Sequence, residues 1–219
     1  LRADIQIRGQ AVHNPHGGAN SYELERALGQ DLILTSVGWV NSYYQQTGDY
    51  VDEWGVAWRS IKYTTPFGAG YYTEAAGHPL ADNRAIDNYK APDPNRPELY
   101  SDSAHVIEQF KSEYWIVGVV VTTILETAVA LRGYMQVLKD IIIDPELFER
   151  LLGIPYHYHL TVAKRLVEMG VDMIWLGDDV GGQTNMLISP RHWRKFLKPR
   201  MSNIIAELKR INVKDFGAK

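Results

Sequence analysis

Residues 170–200, GVDMIWLGDDVGGQTNMLISPRHWRKFLKPR, form the stretch that decides the fold. Residues 171–176 are a short apolar run between two glycines, and this length is typical of a buried parallel strand. A polar glycine loop follows, and then Ser189 and Pro190 open an amphipathic helix with an N-cap and a proline in the first turn. The stretch predicts one βα unit, and ligands of α/β proteins bind at the carboxyl ends of such strands.

The composition is that of an ordinary globular protein, with 45% hydrophobic and 22% charged residues in a chain of 219. A net charge of −3 with scattered lysines and arginines excludes the basic surface of a nucleic-acid binder. The most apolar run, residues 116–131, is interrupted by threonines and a glutamate, so it predicts a strand and a helix rather than a membrane span. The absence of cysteine excludes disulfides and thiolate metal ligands in this stretch and fits a cytoplasmic protein.

Strands and helices alternate on both sides of an aromatic insertion. Strands are predicted at residues 4–8, 31–37, 114–121, 171–176 and 213–216, and helices at residues 21–28, 103–112, 126–143 and 191–211. Another helix starts at residues 144–145, and residues 156–169 either continue it or follow it as a separate helix. Residues 51–80 are rich in aromatics and predict an antiparallel β-hairpin that turns at residues 66–70. This alternation predicts right-handed βαβ units and a parallel sheet. Because so few strands do not close a barrel, the sequence leaves open a small α/β sheet or part of a barrel.

Two adjacent aspartates, Asp178 and Asp179, follow the predicted strand and are the sharpest candidates for a functional site. Neighbouring side chains at a strand end point to opposite sides, so we expect one of the two to enter a pocket. A carboxylate there can bind a metal, take up a proton or accept hydrogen bonds from a ligand. The alternative is a capping aspartate that accepts hydrogen bonds from backbone amides before the glycines.

Three further groups of residues each have a functional and a structural interpretation. Glu126 follows an apolar strand, where it either serves a site or pairs with Arg132 at near-helical spacing. His157 and His159 are two residues apart, so on a helix they face away from each other and joint metal ligation is not expected. The hairpin aromatics, Trp58 among them, either wall a pocket or form the packed face of the hairpin.

Several motifs together resemble the uroporphyrinogen decarboxylase superfamily. Besides residues 170–200, they are Asp52-Glu53-Trp54-Gly55 with Trp58-Arg59, His78-Pro79-Leu80, Ala91-Pro92-Asp93-Pro94, Leu131-Arg132-Gly133-Tyr134 and Asp144-Pro145-Glu146. The resemblance covers nearly the whole chain in the right order. It implies an α/β fold of the (β/α)₈ TIM-barrel type, with the site at the carboxyl mouth of the barrel and an insertion at residues 51–80. It also implies that residues 1–219 are a single, C-terminally incomplete domain holding the N-terminal half of the barrel, since family members are longer.

The decarboxylase branch is matched only in part. Its Arg-Gln-Ala-Gly-Arg motif is similar to Arg8-Gly9-Gln10-Ala11, with His13 near the place of the second arginine. Its tyrosine falls at about Val129, and its catalytic aspartate falls near residues 37–38, where this chain has none. The aspartate of its Asp-Ser-Trp-Ala-Gly loop is retained as Asp178. These departures argue against decarboxylation of uroporphyrinogen.

The other large branch contains corrinoid-dependent methyltransferases, and the Gly-Asp-Asp-x-Gly-x-Gln loop resembles its less characterised members. The resemblance therefore implies methyl transfer with a small-molecule substrate and a corrinoid protein as partner, and it leaves a homodimer open. Thiol-using members of this branch activate the thiol on zinc held in the second half of the barrel, so any zinc is expected on residues outside this stretch. No metal ligand is assigned here.

The candidate residues are ranked by their place at the expected mouth. Asp178 and Asp179 are the candidates for catalysis, and the candidates for substrate binding are Gln183, Arg8, His13 and Glu126. Two rival functions stay open. One is a uroporphyrinogen decarboxylase of porphyrin biosynthesis, and the other is a catalytically inactive, ligand-binding barrel.

Overall fold

The computed structural model describes residues 5–7, 10–12, 22–37, 48–66 and 68–216. In chain order the strands are β1 (Ile5–Ile7), β2 (Gln10–Val12), β3 (Leu32–Ser36), β4 (Tyr50–Val51), β5 (Ala57–Thr65), β6 (Gly68–Gly77), β7 (Trp115–Val120) and β8 (Met173–Leu176). The helices are α1 (Glu23–Leu28), α2 (Ser101–Phe110), α3 (Leu125–Arg132), α4 (Tyr134–Ile143), α5 (Pro145–Met169), α6 (Pro190–His192) and α7 (Lys198–Phe216). Short 3₁₀ helices span Asn83–Asn88 and Pro97–Tyr100, and a π-helical turn, Trp193–Leu197, joins α6 to α7.

A parallel sheet of order β3–β7–β8 is the centre of the α/β fold, which confirms the predicted fold class. One face of the sheet packs against helices α2 and α5, and Ile33 and Ile116 on that face are fully buried. The opposite face leaves Trp115 and Trp175 more than half exposed. The predicted strand at residues 171–176 is therefore parallel as expected, but it is buried on one face rather than on both.

The insertion forms an antiparallel sheet of order β4–β5–β6. Thr65 pairs with Gly68, so residues 68–70 already belong to β6, and the predicted turn at residues 66–70 is too long. The base of the insertion is anchored, since Trp54 and Val56 are buried in the main hydrophobic core. The hairpin is thus attached to the same core as the parallel sheet.

Helix boundaries follow local chemistry. Asp144 caps α5 by accepting a hydrogen bond from the Leu147 amide at 3.0 Å, and Gly170 ends α5 in the left-handed conformation that glycine adopts readily. Ser189 accepts a hydrogen bond from the His192 amide at 3.2 Å, as its predicted N-cap role requires. Among the described helices, none is long and apolar enough to cross a membrane.

Two predicted elements differ in the structure. The single helix expected over residues 126–143 is broken at Gly133, whose φ of 92° cannot continue a helix, so α3 and α4 are separate. The strand expected at residues 213–216 is wrong, because α7 continues through this segment to Phe216. The first predicted strand is found as β1, but it pairs antiparallel with β2 and does not join the parallel sheet.

Candidate functional site

The carboxyl ends of β7 and β8 meet the first turn of α3. Asp178 lies two residues after the end of β8, and its carboxylate oxygens accept hydrogen bonds from the amides of Leu125 at 2.9 Å and Glu126 at 3.0 Å. These amides are in the first turn of α3, whose own N-cap residue, Ile124, has no side chain that can cap it. Asp178 therefore caps a helix that lies more than fifty residues earlier in the chain.

Asp179 has a different set of contacts from its neighbour. Its side-chain oxygen accepts a hydrogen bond from the Gly181 amide at 2.8 Å, as expected for an aspartate that stabilises the glycine loop. Its own amide donates to a carboxylate oxygen of Glu126 at 3.2 Å. The strand end and the helix start are thus joined in both directions, since Asp178 bonds to α3 and the carboxylate of α3 bonds back to Asp179.

Glu126 does not pair with Arg132. The Arg132 side chain is fully buried and donates to the carboxylate of Asp140 at 2.8 Å and to the carbonyl of Leu80 at 2.8 Å. The break at Gly133 turns α4 back toward this guanidinium, so Arg132 holds the C-terminal end of α3 rather than the carboxylate near its start. The Glu126 carboxylate therefore belongs to the candidate site and not to an ion pair with Arg132.

Two carboxyl groups of this corner have a pKa above the ordinary value of their residue type. Burial raises the pKa of Glu126 above its ordinary value, and the neighbouring charges of Asp178 and Asp179 raise it further, while the hydrogen bond from the Asp179 amide opposes the rise. Burial also raises the pKa of Asp178, against the effect of the hydrogen bonds from the first turn of α3. The described hydrogen-bond partners of both groups are backbone amides, so burial is not offset there by an opposite charge.

A cavity of about 540 Å³ opens beside Glu126, between the hairpin, α3, α4 and the loop after β8. Most of its wall is apolar and comes from Leu125, Val129, Val137, Leu138, Leu187 and Ile188. Trp58 and Tyr134 add aromatic rings, and the polar lining is supplied by Thr122, Glu126 and Asp179. Of the residues that line it in the described part of the chain, none is a lysine, arginine or histidine. Its volume is in the range of small-molecule sites, about 300–1,000 Å³.

The end of β7 is strained where it meets the cavity. Thr122 has a φ of 53°, a conformation that a β-branched residue rarely adopts and that costs on the order of 1–3 kcal/mol. The Thr127 hydroxyl donates to the Thr122 carbonyl at 2.6 Å, and the Thr123 amide donates to the Gly177 carbonyl at 2.8 Å. The strained turn is therefore held on both sides and directs the chain from β7 into α3.

Two histidines of α5 lie on opposite sides of the helix, as their spacing predicted. His157 is exposed, whereas His159 is buried, lies 3.3 Å from the Thr127 hydroxyl through Nε2, and packs against Trp54 with the ring centroids 6.0 Å apart. Burial lowers the pKa of His159 to about 3. Within the described ranges, no group of three or more His, Cys, Asp or Glu side chains could hold a metal ion.

The remaining predicted residues separate into several groups. Gln183 is exposed on the loop after β8 and does not line the cavity. Arg8 and His13 lie outside the described residues, so their roles stay predictions. Of the hairpin aromatics, Trp58 lines the cavity, Trp54 is buried in the core, and Tyr71 and Tyr72 are about half exposed.

The geometry draws attention to two residues that the sequence alone ranks lower or does not single out. Glu126 ranked below Asp178, because its distance to the aspartates in the folded chain is not visible in the sequence. Thr122 was not considered, although the pair Thr122-Thr123 between a β-branched strand and a helix is a signal that could have drawn attention to it.

The structure is that of an α/β protein with a cavity of small-molecule size at the carboxyl ends of its parallel strands. The model of the uroporphyrinogen decarboxylase (URO-D) family matches residues 67–215, and the chain belongs to this family. Its fold is similar to that of a methyltransferase from Methanosarcina mazei, with a TM-score of 0.52 and 20% sequence identity over 68% of this chain. The chain spans 44% of the length of that methyltransferase. Among curated proteins, none matches the chain.

Proposed function

We propose that this protein is a methyltransferase of the URO-D superfamily that moves a methyl group between a small molecule and a corrinoid carried by a partner protein. The observation that supports the proposal best is the lining of the cavity, with apolar walls and two carboxylates, Glu126 and Asp179. The structural likeness to a methyltransferase agrees with it at the level of the fold.

The same lining argues against the decarboxylase alternative. Uroporphyrinogen carries carboxylates on every ring, and a protein that binds it needs cations or amide donors to compensate them. The described lining residues supply acidic side chains instead, and at about 4 Å two like charges repel by roughly 4 kcal/mol where the effective dielectric constant is about 20. A neutral or positively charged small molecule avoids this repulsion.

Each residue of the corner has a task in this proposal. Glu126 accepts hydrogen bonds from the polar end of the small molecule, and Asp179 lies beside it at the same wall. Asp178 positions Glu126 by capping α3, and its direct role in catalysis stays a prediction. The apolar walls exclude water from the reacting methyl group.

Neither a corrinoid nor zinc is expected to be held by the residues of this corner. The cavity has the size of a small-molecule site and is too small for a corrinoid. In this proposal the corrinoid is a second substrate that approaches the cavity from outside. The described residues do not fit zinc, since they contain no suitable ligand cluster. A homodimer and a cytoplasmic location stay predictions.

The test is methyl transfer by the full-length protein. The protein is mixed with methylcobalamin or its demethylated cobalt(I) form and with a panel of small methyl acceptors and donors, and the absorbance of the corrinoid is followed. We expect turnover that falls about ten- to a hundredfold in kcat/KM in Glu126→Gln, the loss for removing one charged hydrogen bond. Glu108→Gln on the exposed surface of α2 is the matched control and is expected to keep full activity.

The alternatives give different results in the same assays. Conversion of uroporphyrinogen to coproporphyrinogen would replace the proposal with the decarboxylase function. Absence of turnover with every corrinoid and porphyrinogen substrate, together with retained ligand binding, would replace it with an inactive ligand-binding barrel.

A further inference from the structure

The cavity beside Glu126 has an unusual combination of walls for a site that binds a small molecule. Two aromatic rings, those of Trp58 and Tyr134, lie in the same lining as the carboxyl groups of Glu126 and Asp179. Aromatic faces attract cations through the ring quadrupole, and carboxylates attract them through charge. The two kinds of wall favour the same class of ligand.

The aromatic wall is fixed in place before any ligand arrives. The Trp58 indole donates from Nε1 to Asp52 at 2.7 Å, and the other oxygen of Asp52 accepts from the amides of Trp54 and Val56, both at 2.9 Å. The Trp58 ring also stacks on Tyr50, with centroids 6.4 Å apart and an angle of 19° between the planes. A ring held by a hydrogen bond and a stacking neighbour loses little freedom when a ligand packs on it.

The acidic wall is short of positive charge. Glu126 faces the cavity with the charges of Asp178 and Asp179 close by, and its contact among the described residues is the amide of Asp179, which carries no net charge. The nearest buried guanidinium, that of Arg132 at the other end of α3, is already paired with Asp140. A cation in the cavity would provide the compensation that these side chains do not provide.

We propose that this cavity binds a small molecule with an apolar body and a cationic head of the ammonium type, quaternary or protonated. The apolar body packs against α3, α4 and the loop after β8, and the head lies between the Trp58 ring and the carboxylate of Glu126. The inference deepens the proposed function by naming the class of its small-molecule substrate. It rests on that function only for the claim that the bound molecule reacts.

A pair of ligands of equal shape tests the charge directly. Choline is titrated into the full-length protein by calorimetry, and its neutral isostere, 3,3-dimethyl-1-butanol, is titrated under the same conditions. We expect choline to bind at least about tenfold more tightly, because the isostere has the same volume and lacks the charge. Equal or tighter binding of the isostere, or binding of neither, would overturn the inference.

Three variants locate the binding within the cavity. Glu126→Gln is expected to reduce the preference for choline to about threefold or less, since the amide keeps the shape and the contact with Asp179 but not the charge. Trp58→Leu is expected to weaken choline about tenfold and to weaken the isostere less. Glu108→Gln, the same chemical change on the exposed surface, should leave both affinities unchanged. A choline affinity that is unchanged in Glu126→Gln and Trp58→Leu would place the cation elsewhere and refute the assignment.

Binding and turnover separate the two proposals. If choline binds as expected but no corrinoid is methylated or demethylated, the inferred site stands and the proposed methyl transfer fails. If methyl transfer is found with neutral substrates and choline does not bind, the proposed function stands and the cationic ligand class is wrong.

Discussion

Replacement of Asp178 by alanine tests whether this aspartate holds the site together or acts on the ligand. The substitution removes the acceptor for the amides of Leu125 and Glu126 in the first turn of α3. Loss of a helix cap costs about 0.5–2 kcal/mol, and a buried donor left without an acceptor costs about 1–3 kcal/mol. Since both amides belong to the same turn and these terms overlap, we expect a loss of about 2–3 kcal/mol in the free energy of unfolding.

The loss is measured by urea denaturation of the full-length protein, with the midpoint and the slope fitted for each variant. Asp178→Asn keeps one oxygen as an acceptor and turns a donor toward the other amide, so about 1–2 kcal/mol is expected. Asp179→Ala is the matched control. Its side chain is largely exposed and accepts a single described hydrogen bond, from Gly181, so we expect about 0.5–1 kcal/mol.

Activity and stability together decide the role of Asp178. If Asp178 positions Glu126, the loss of turnover in each variant follows its loss of stability. Asp178→Asn then retains more activity and more stability than Asp178→Ala. The reasoning is refuted if Asp178→Ala is as stable as Asp179→Ala. In that event a complete loss of turnover in Asp178→Asn would identify the carboxylate as a ligand-contacting group.

Two further predictions concern buried charge and pH. Arg132→Met leaves the buried Asp140 carboxylate without its charged partner, and we expect a loss of about 3–5 kcal/mol in the free energy of unfolding, measured by urea denaturation. The double variant Arg132→Met, Asp140→Leu should recover most of this loss. Equal stability of the single and double variants would contradict the reasoning. The pKa of His159 is about 3 in the folded protein and roughly 6.5 in the unfolded chain, so the unfolded chain binds more protons between these values. The free energy of unfolding should therefore fall by about 2 kcal/mol from pH 6.5 to pH 5. In His159→Gln, denaturation at the two pH values should show this fall removed. A fall that is unchanged in the variant would show that His159 is protonated in the folded protein.

The local pattern of the sequence was sufficient for most elements of the fold. Neighbours in the chain set the apolar run before Gly177 and the cap at Ser189, and the structure confirms both. The same holds for the end of α5 at Gly170. The break at Gly133 was readable in principle, since a glycine can adopt the required positive φ, but an isolated glycine within a helical pattern does not by itself indicate a break.

The contacts of the site could not be read in the same way. Asp178 bonds to amides 52 and 53 residues away, and Arg132 bonds to Leu80, 52 residues earlier. These pairings depend on how β7 and β8 align and on where α4 turns back. The sequence therefore identifies acidic residues at a strand end. That Asp178 bonds to the helix start while Glu126 lines the cavity is visible only in the folded chain.

The helix that carries Glu126 is fixed at both ends by contacts with distant parts of the chain. At its start, the positive φ of Thr122 is maintained because Asp178 and Thr127 bond to the turn that it creates. At its end, the positive φ of Gly133 is accompanied by the buried pair of Arg132 and Asp140 and by a close approach of His78, where a Cβ on the glycine would come within 3.1 Å of the imidazole. Backbone strain like that at Thr122 persists only where the surroundings over-determine it, and such positions cluster at functional sites. A short helix with both ends fixed sets the place of its first-turn carboxylate within a narrow range, as a site that binds by charge and shape requires. The position of Glu126 at the cavity wall therefore depends on both helix ends as well as on its own hydrogen bond with the Asp179 amide.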